Sequence, residues 1–126
     1  MKINIKGKDY EPKFGIGFIE RTIKEEQPKD NNIMEVPTQI LLFHSLAYAD
    51  ERQGIEPTLS IFNIYDYLDE VGINSPEIKQ FQLEFFRSMR VHLPDKKSKG
   101  EIDKVVKALT PGEKKKVSKT GKKTGK

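Results

Sequence analysis

Residues 36–54 read VPTQILLFHSLAYADERQG. From Ile40 to Ala49 the apolar side chains fall on nearly every side of a helix instead of along one stripe, so this segment must be covered all round and is expected to be the central helix of a helical core. Pro37 suits its start and Gly54 its stop. Its longest aliphatic or aromatic run, residues 40–43, is far short of the ~20 residues that a membrane span requires.

The flanking segments are patterned to surround such a helix. Residues 2–14 predict a β-hairpin: Ile3 and Ile5 alternate with Asn4 and Lys6, Gly7 offers the turn, and Tyr10 and Phe14 return to the apolar face. Pro12 cannot donate to a ladder, which places the second strand at an edge. Helix spacing follows over 16–26, with Ile16, Ile19 and Ile23 on one stripe and Pro28 as its stop. A polar link, PKDNNIME at 28–35, leads to the central helix.

Beyond Gly54, Thr58 is the expected cap of a third helix, in which Ile61, Phe62, Tyr65, Leu68 and Val71 line one side and Gly72 ends the element. Ser75-Pro76-Glu77 is a start signal for a fourth helix: serine caps, proline fits the first turn, and a carboxylate suits the positive end of the dipole. Its apolar face comprises Ile78, Phe81, Phe85, Phe86 and Met89. After Pro94, Ser98 and Glu101 stand at capping-box spacing before Ile102, Val105, Val106 and Leu109, an amphipathic fifth helix closed by Thr110, Pro111 and Gly112. The expected fold is therefore mainly α, a small domain of four to five helices with an N-terminal β-hairpin over residues 1–112.

The chain ends EKKKVSKTGKKTGK, residues 113–126. These fourteen positions carry seven lysines and one glutamate, a net of +6, which taken from the whole-chain +4 leaves residues 1–112 at −2. The basic balance thus belongs to a tail that composition marks as disordered and flexible, and nucleic acid would be held only weakly and sequence-blind, through that arm. With no cysteine in the chain there is no disulfide framework, no thiolate metal site and no thiol nucleophile. The alternating start MKINIKGKDY lacks the continuous apolar stretch of a signal peptide, so an intracellular, membrane-free location is expected.

Motifs that could carry catalysis fail on chemistry. FGIGFIE, residues 14–20, lies between a strand and a helix as a dinucleotide loop would, but Glu20 occupies the third glycine position, where a carboxylate repels pyrophosphate, and no βαβ unit follows. Two glycines easing a tight strand-to-helix junction are the simpler reading. GKKTGK at 121–126 has one residue too few between its glycines for a phosphate loop and no hydroxyl residue after the lysine. His44 and His92 lie on different elements with no carboxylate at ligand spacing, so no metal is expected: His44 reads as a hydrogen-bonded residue at the core edge and His92 as a helix C-terminal residue favoured by the dipole. Ser45 cannot pair with His44 by adjacency, because successive helical residues diverge. The carboxylates Asp66, Asp69 and Glu70, and Asp50 and Glu51, read as solvated faces. No catalytic residue and no cofactor is expected. Apolar surface remains, and Tyr67, off the main stripe of its helix, is the candidate partner-binding residue.

KGKDYEPKFGIGFIERTIK, residues 6–24, resembles the N-terminal signature of tail assembly chaperones from long-tailed bacteriophages of Gram-positive hosts. VPTQILLFHSLAYADERQG, at 36–54, and SIFNIYDYLDEVG, at 60–72, are similar to the helical body of the same family, so the resemblance covers most of residues 1–90. It implies a non-enzymatic protein of the host bacterial cytoplasm that binds the tape measure protein and the major tail tube protein and is absent from the mature virion, with self-association of its copies left open. It also implies a minor longer product made by ribosomal frameshifting near the end of the reading frame. Lysine-rich pairs such as Gly121-Lys122 and Gly125-Lys126 are the kind that slippery codons encode. The alternative is a small nucleic-acid- or ribosome-associated protein acting through residues 113–126.

Overall fold

The computed structural model describes residues 1–92 and 96–109. The expected tail, 113–126, and the closing Thr110-Pro111-Gly112 lie outside them. The elements are a hairpin of β1 (Ile3–Ile5) and β2 (Lys8–Tyr10), then α1 (Ile16–Glu26), two short 3-10 turns (Lys29–Asn31 and Ile33–Glu35), α2 (Thr38–Arg52), α3 (Ile61–Val71), α4 (Pro76–His92) and α5 (Lys96–Leu109). This is the mainly helical fold with an N-terminal β-hairpin that the sequence leads one to expect. The chain divides into two compact units, with the boundary between Gln82 and Leu83 inside α4.

In the first unit the hairpin is antiparallel, with Ile3 opposite Tyr10 and Ile5 opposite Lys8. The Lys6-Gly7 turn has both residues at positive φ, 55° and 81°, which matches the right-handed twist of the two strands. Pairing stops at Tyr10, two residues before Pro12, so the second strand is shorter than the expected reach to Phe14. Ile3, Ile5 and Tyr10 all face inward and are buried.

α2 is the central helix: it packs on both α1 and α3, while α3 also touches β1. Leu42, Leu46 and Ala47 are completely covered, and His44, Ser45 and Asp50 are buried with them. Full burial of a side chain such as Leu42 contributes roughly 1.5–3 kcal/mol. The Ser45 hydroxyl donates to the Leu42 carbonyl at 2.8 Å, and buried Thr22 donates to the Phe18 carbonyl at the same distance, so neither hydroxyl is left unsatisfied.

α1 occupies the expected residues but shifts its inward face, with Ile19 and Ile23 of the expected stripe half-buried at its flank. Phe18 and Thr22 are the buried pair, whereas Ile16 is 63% exposed. Phe18 meets Phe14 edge to face at 5.2 Å between ring centroids, and Phe14 lies 5.6 Å from Phe81. Aromatic packing at the strand-to-helix junction therefore takes the centre of the buried face from the Ile16-Ile19-Ile23 stripe and leaves Ile16 outside it. α1 ends with Gln27 in the left-handed conformation, its N–H on the Ile23 carbonyl, immediately before Pro28.

α4 starts as expected, with the Ser75 hydroxyl accepting from the Ile78 N–H at 3.4 Å. In the second unit Leu83, Phe85 and Met89 of α4 and Ile102 of α5 are buried, and Arg90 pairs with Asp103 at 2.6 Å. α5 begins at Lys96, ahead of the expected Ser98 cap. No helix among the described residues is long and apolar enough to cross a membrane.

Candidate functional site

The groups whose sequence context suggested chemistry are built into the scaffold. Because a guanidinium N–H can only donate, the 3.1 Å contact from Arg21 Nε makes His44 Nδ1 the acceptor. The ring proton is then on Nε2, which donates to Glu26 Oε2 at 2.8 Å. Arg21 also pairs with Glu51 through its other arm. His44 is thus hydrogen-bonded as expected, but it lies in the core and not at its edge. His92 is the last residue of α4. Among the described residues no group of three metal-ligating side chains comes together.

Asp50 corrects the expectation of a solvated face. It is 4% exposed, and Lys8 Nζ reaches both its carboxylate oxygens at 3.0 and 3.1 Å while lying 4.8 Å above the Tyr10 ring. The hydrogen bond to Asp50 is the main cause that holds the Lys8 ammonium above its ordinary pKa. The pair spans forty-two positions of sequence and joins hairpin to α2, a contact that helical periodicity could not show.

FGIGFIE is a packing junction. Gly15, at φ 128°, makes the entry to α1, and Gly17 lies so close to Tyr48 that a Cβ would stand 2.2 Å from its hydroxyl oxygen. The glycine-lysine motif at 121–126 lies outside the described residues.

The exposed feature left over is α3. Its start is set by a reciprocal capping box: Ser60 Oγ accepts from the Asn63 N–H at 3.4 Å, and Asn63 Oδ1 accepts from the Ser60 N–H at 2.9 Å. The cap is therefore Ser60, not Thr58. Gly72, at φ 91°, ends the helix. Ile64 and Tyr67 are the residues it buries.

Tyr67, expected at the surface, is 8% exposed, and burial is the first cause of its raised hydroxyl pKa, followed by the carboxylates of Glu77 and Glu70. Phe62, expected in the core, is 70% exposed, and Tyr65 is 41% exposed. α3 has two overlapping apolar arcs, and the one it buries is centred on Ile64 and Tyr67. The missed signal was the position of charge: Asp66 and Asp69 follow Phe62 at i+4 and i+7, which puts the phenyl ring on the acidic side of the helix.

Phe62 and Tyr65 meet edge to face at 6.2 Å between centroids. Beside them an open groove of about 650 Å³ is lined by Gln39, Tyr65, Leu68, Asp69 and Ile73, the last of these half exposed. The face can make apolar contacts from rings already held in place and present carboxylates to the same occupant. No protein-family model, curated protein or solved structure matches this chain.

Proposed function

We propose that this protein is a tail assembly chaperone of a long-tailed bacteriophage, which binds the tape measure protein and the major tail tube protein in the host cytoplasm, without catalysis, and leaves before the virion is complete. The observation that carries the reading at the level of physics is the aromatic pair Phe62 and Tyr65, exposed on a helix whose other side is anchored by Ile64 and Tyr67. A surface of this kind covers apolar helix on a client by reversible groove contacts. The likeness of residues 6–24, 36–54 and 60–72 to the family supplies the clients. Release at assembly requires modest affinity per copy, which many copies along one long client can provide.

The test is co-expression with a tape measure protein and a major tail tube protein of a long-tailed phage. The soluble share of either client should rise several-fold with the full chain and with a chain ending at Gly112. It should fall back when Phe62 and Tyr65 are both changed to serine, and mass spectrometry of purified virions should not find the chain. Client solubility that ignores the chain would overturn the reading. Binding to RNA or duplex that falls steeply with salt and disappears on deletion of 113–126 would favour the nucleic-acid alternative.

A further inference from the structure

The charge around α3 says more about its occupant than the exposed rings do. Residues 53–78 contain no lysine, arginine or histidine, and they contain Glu56, Asp66, Asp69, Glu70 and Glu77. In a chain with 23 basic residues this is a strong segregation of charge, and α3 lies at its centre. Asp66, Asp69 and Glu70 are exposed, and none of them forms an ion pair among the described residues. Phe62, Asp66 and Asp69 share one side of the helix, and Asp69 also lines the groove with Tyr65, Leu68 and Ile73. Apolar contact and unpaired negative charge therefore meet any occupant together.

Backbone chemistry narrows the class further. A helix consumes its own N–H and C=O groups along its length, so the side of α3 offers no ladder to an extended peptide. An extended peptide there would gain no backbone hydrogen bonds from α3, whereas a helix satisfies its own and presents a continuous stripe of side chains. We infer that the groove beside α3 receives an amphipathic helix with an aliphatic stripe flanked by lysine or arginine. This rests on the docking role proposed above and names the chemical class of the partner. The aliphatic stripe covers Tyr65, Leu68 and Ile73, and the flanking cations approach Asp69 at the groove and Asp66 beyond Phe62, while Glu70 lies further round α3, in a depression it shares with Asp66 and Lys6 of the hairpin turn. Like charge excludes an acidic helix with the same stripe, which makes charge the selector and apolar area the source of affinity.

The experiment uses the full chain and three labelled synthetic peptides of about 18 residues, long enough for roughly five helical turns. One is a leucine-lysine amphipathic helix, one has the same leucines with glutamate for lysine, and one keeps the lysines with serine for leucine. Fluorescence anisotropy is read for the parent, for Phe62→Ser with Tyr65→Ser, and for Asp66→Asn with Asp69→Asn; all these positions are exposed, and circular dichroism verifies that each variant is folded. The leucine-lysine peptide should bind, and each variant should weaken it by about tenfold, roughly the effect of losing one good anchor. The charge variant should also flatten the salt dependence. Any binding of the glutamate peptide should ignore both variants, because its partner would be the lysine tail.

Equal, α3-dependent binding of the leucine-lysine and leucine-glutamate peptides would overturn the charge selection. Equal binding of the serine-lysine peptide would overturn the apolar part, and absence of leucine-lysine binding would overturn the whole inference. So would a parent that sediments as a dimer and becomes monomeric in Phe62→Ser, since the occupant would then be a second copy. If the tail proteins are solubilised but leucine-lysine peptides are not selected, this inference fails and the chaperone reading stands. If those peptides are selected but the tail proteins are unaffected, the chaperone reading fails and the groove keeps its basic amphipathic helix.

Discussion

Gly17 on α1 faces Tyr48 on α2 so closely that a Cβ at position 17 would lie 2.2 Å from the tyrosine hydroxyl oxygen and 2.6 Å from the ring carbon bearing it. The glycine of FGIGFIE thus leaves room for the end of the Tyr48 ring to lie against α1. Gly17→Ala should destabilise the protein by about 1–3 kcal/mol, the usual cost of overpacking, because the end of the Tyr48 ring must move. In a Tyr48→Ala background the same change should be neutral or stabilising, since alanine exceeds glycine in helix propensity by up to about 1 kcal/mol. Urea denaturation of the four proteins closes this cycle. Equal effects in both backgrounds would show that the two residues do not touch.

The start of α3 gives a second test, a comparison of two candidate caps close in sequence. Ser60 and Asn63 satisfy each other's backbone donors, whereas Thr58 lies two residues before the cap. Ser60→Ala should cost about 1 kcal/mol and Thr58→Ala only a few tenths. A reversed order would move the start of the helix back to Thr58 and, with it, the side on which Phe62 emerges.

Local signals made much of this fold legible. The 16–26 bounds of α1, the central burial of α2 between Pro37 and Gly54, and the Ser75-Pro76 start of α4 follow from caps, breakers and period alone. The faces of α1 and α3 did not. α1 turned on aromatic contacts among Phe14, Phe18 and Phe81, residues that only the folded chain brings together. α3 carries enough apolar residues for two stripes, and the choice lay with α2 and β1, against which it packs. Asp50 was misread for the same reason, because Lys8 is distant in sequence.

The Arg21–His44–Glu26 chain should matter to stability because its middle member is buried. Arg21→Met removes the donor to His44 Nδ1 and the partner of Glu51 together, leaving a covered ring nitrogen without its hydrogen bond. The expected loss is about 1–3 kcal/mol. Glu51→Gln, at a side chain that is 43% exposed, should cost less than about 1 kcal/mol. Chemical denaturation of both variants at neutral pH tests the difference. Similar losses would mean that the surface pair, and not the buried ring, supports the structure.

Tyr67 decides which aromatic residues α3 offers to a partner, and its hydroxyl reports on that directly. Burial, with Glu77 and Glu70 nearby, raises its pKa above the ordinary 10.0. The unfolded chain therefore releases this proton first as pH rises. Stability from the protonated hydroxyl is fully present below pH 10.0, the unfolded value, and is lost as pH climbs through the raised folded value. Tyr67→Phe keeps the ring and removes the proton, so the variant should gain on the parent as pH passes from neutral into the alkaline range. Comparing urea midpoints at neutral and strongly alkaline pH isolates this residue, since the other tyrosines are common to both proteins. A gap between parent and variant that stays constant with pH would place Tyr67 in solvent. The inward anchor of α3 would then be lost, and the partner surface would shift from Phe62 and Tyr65 towards Tyr67.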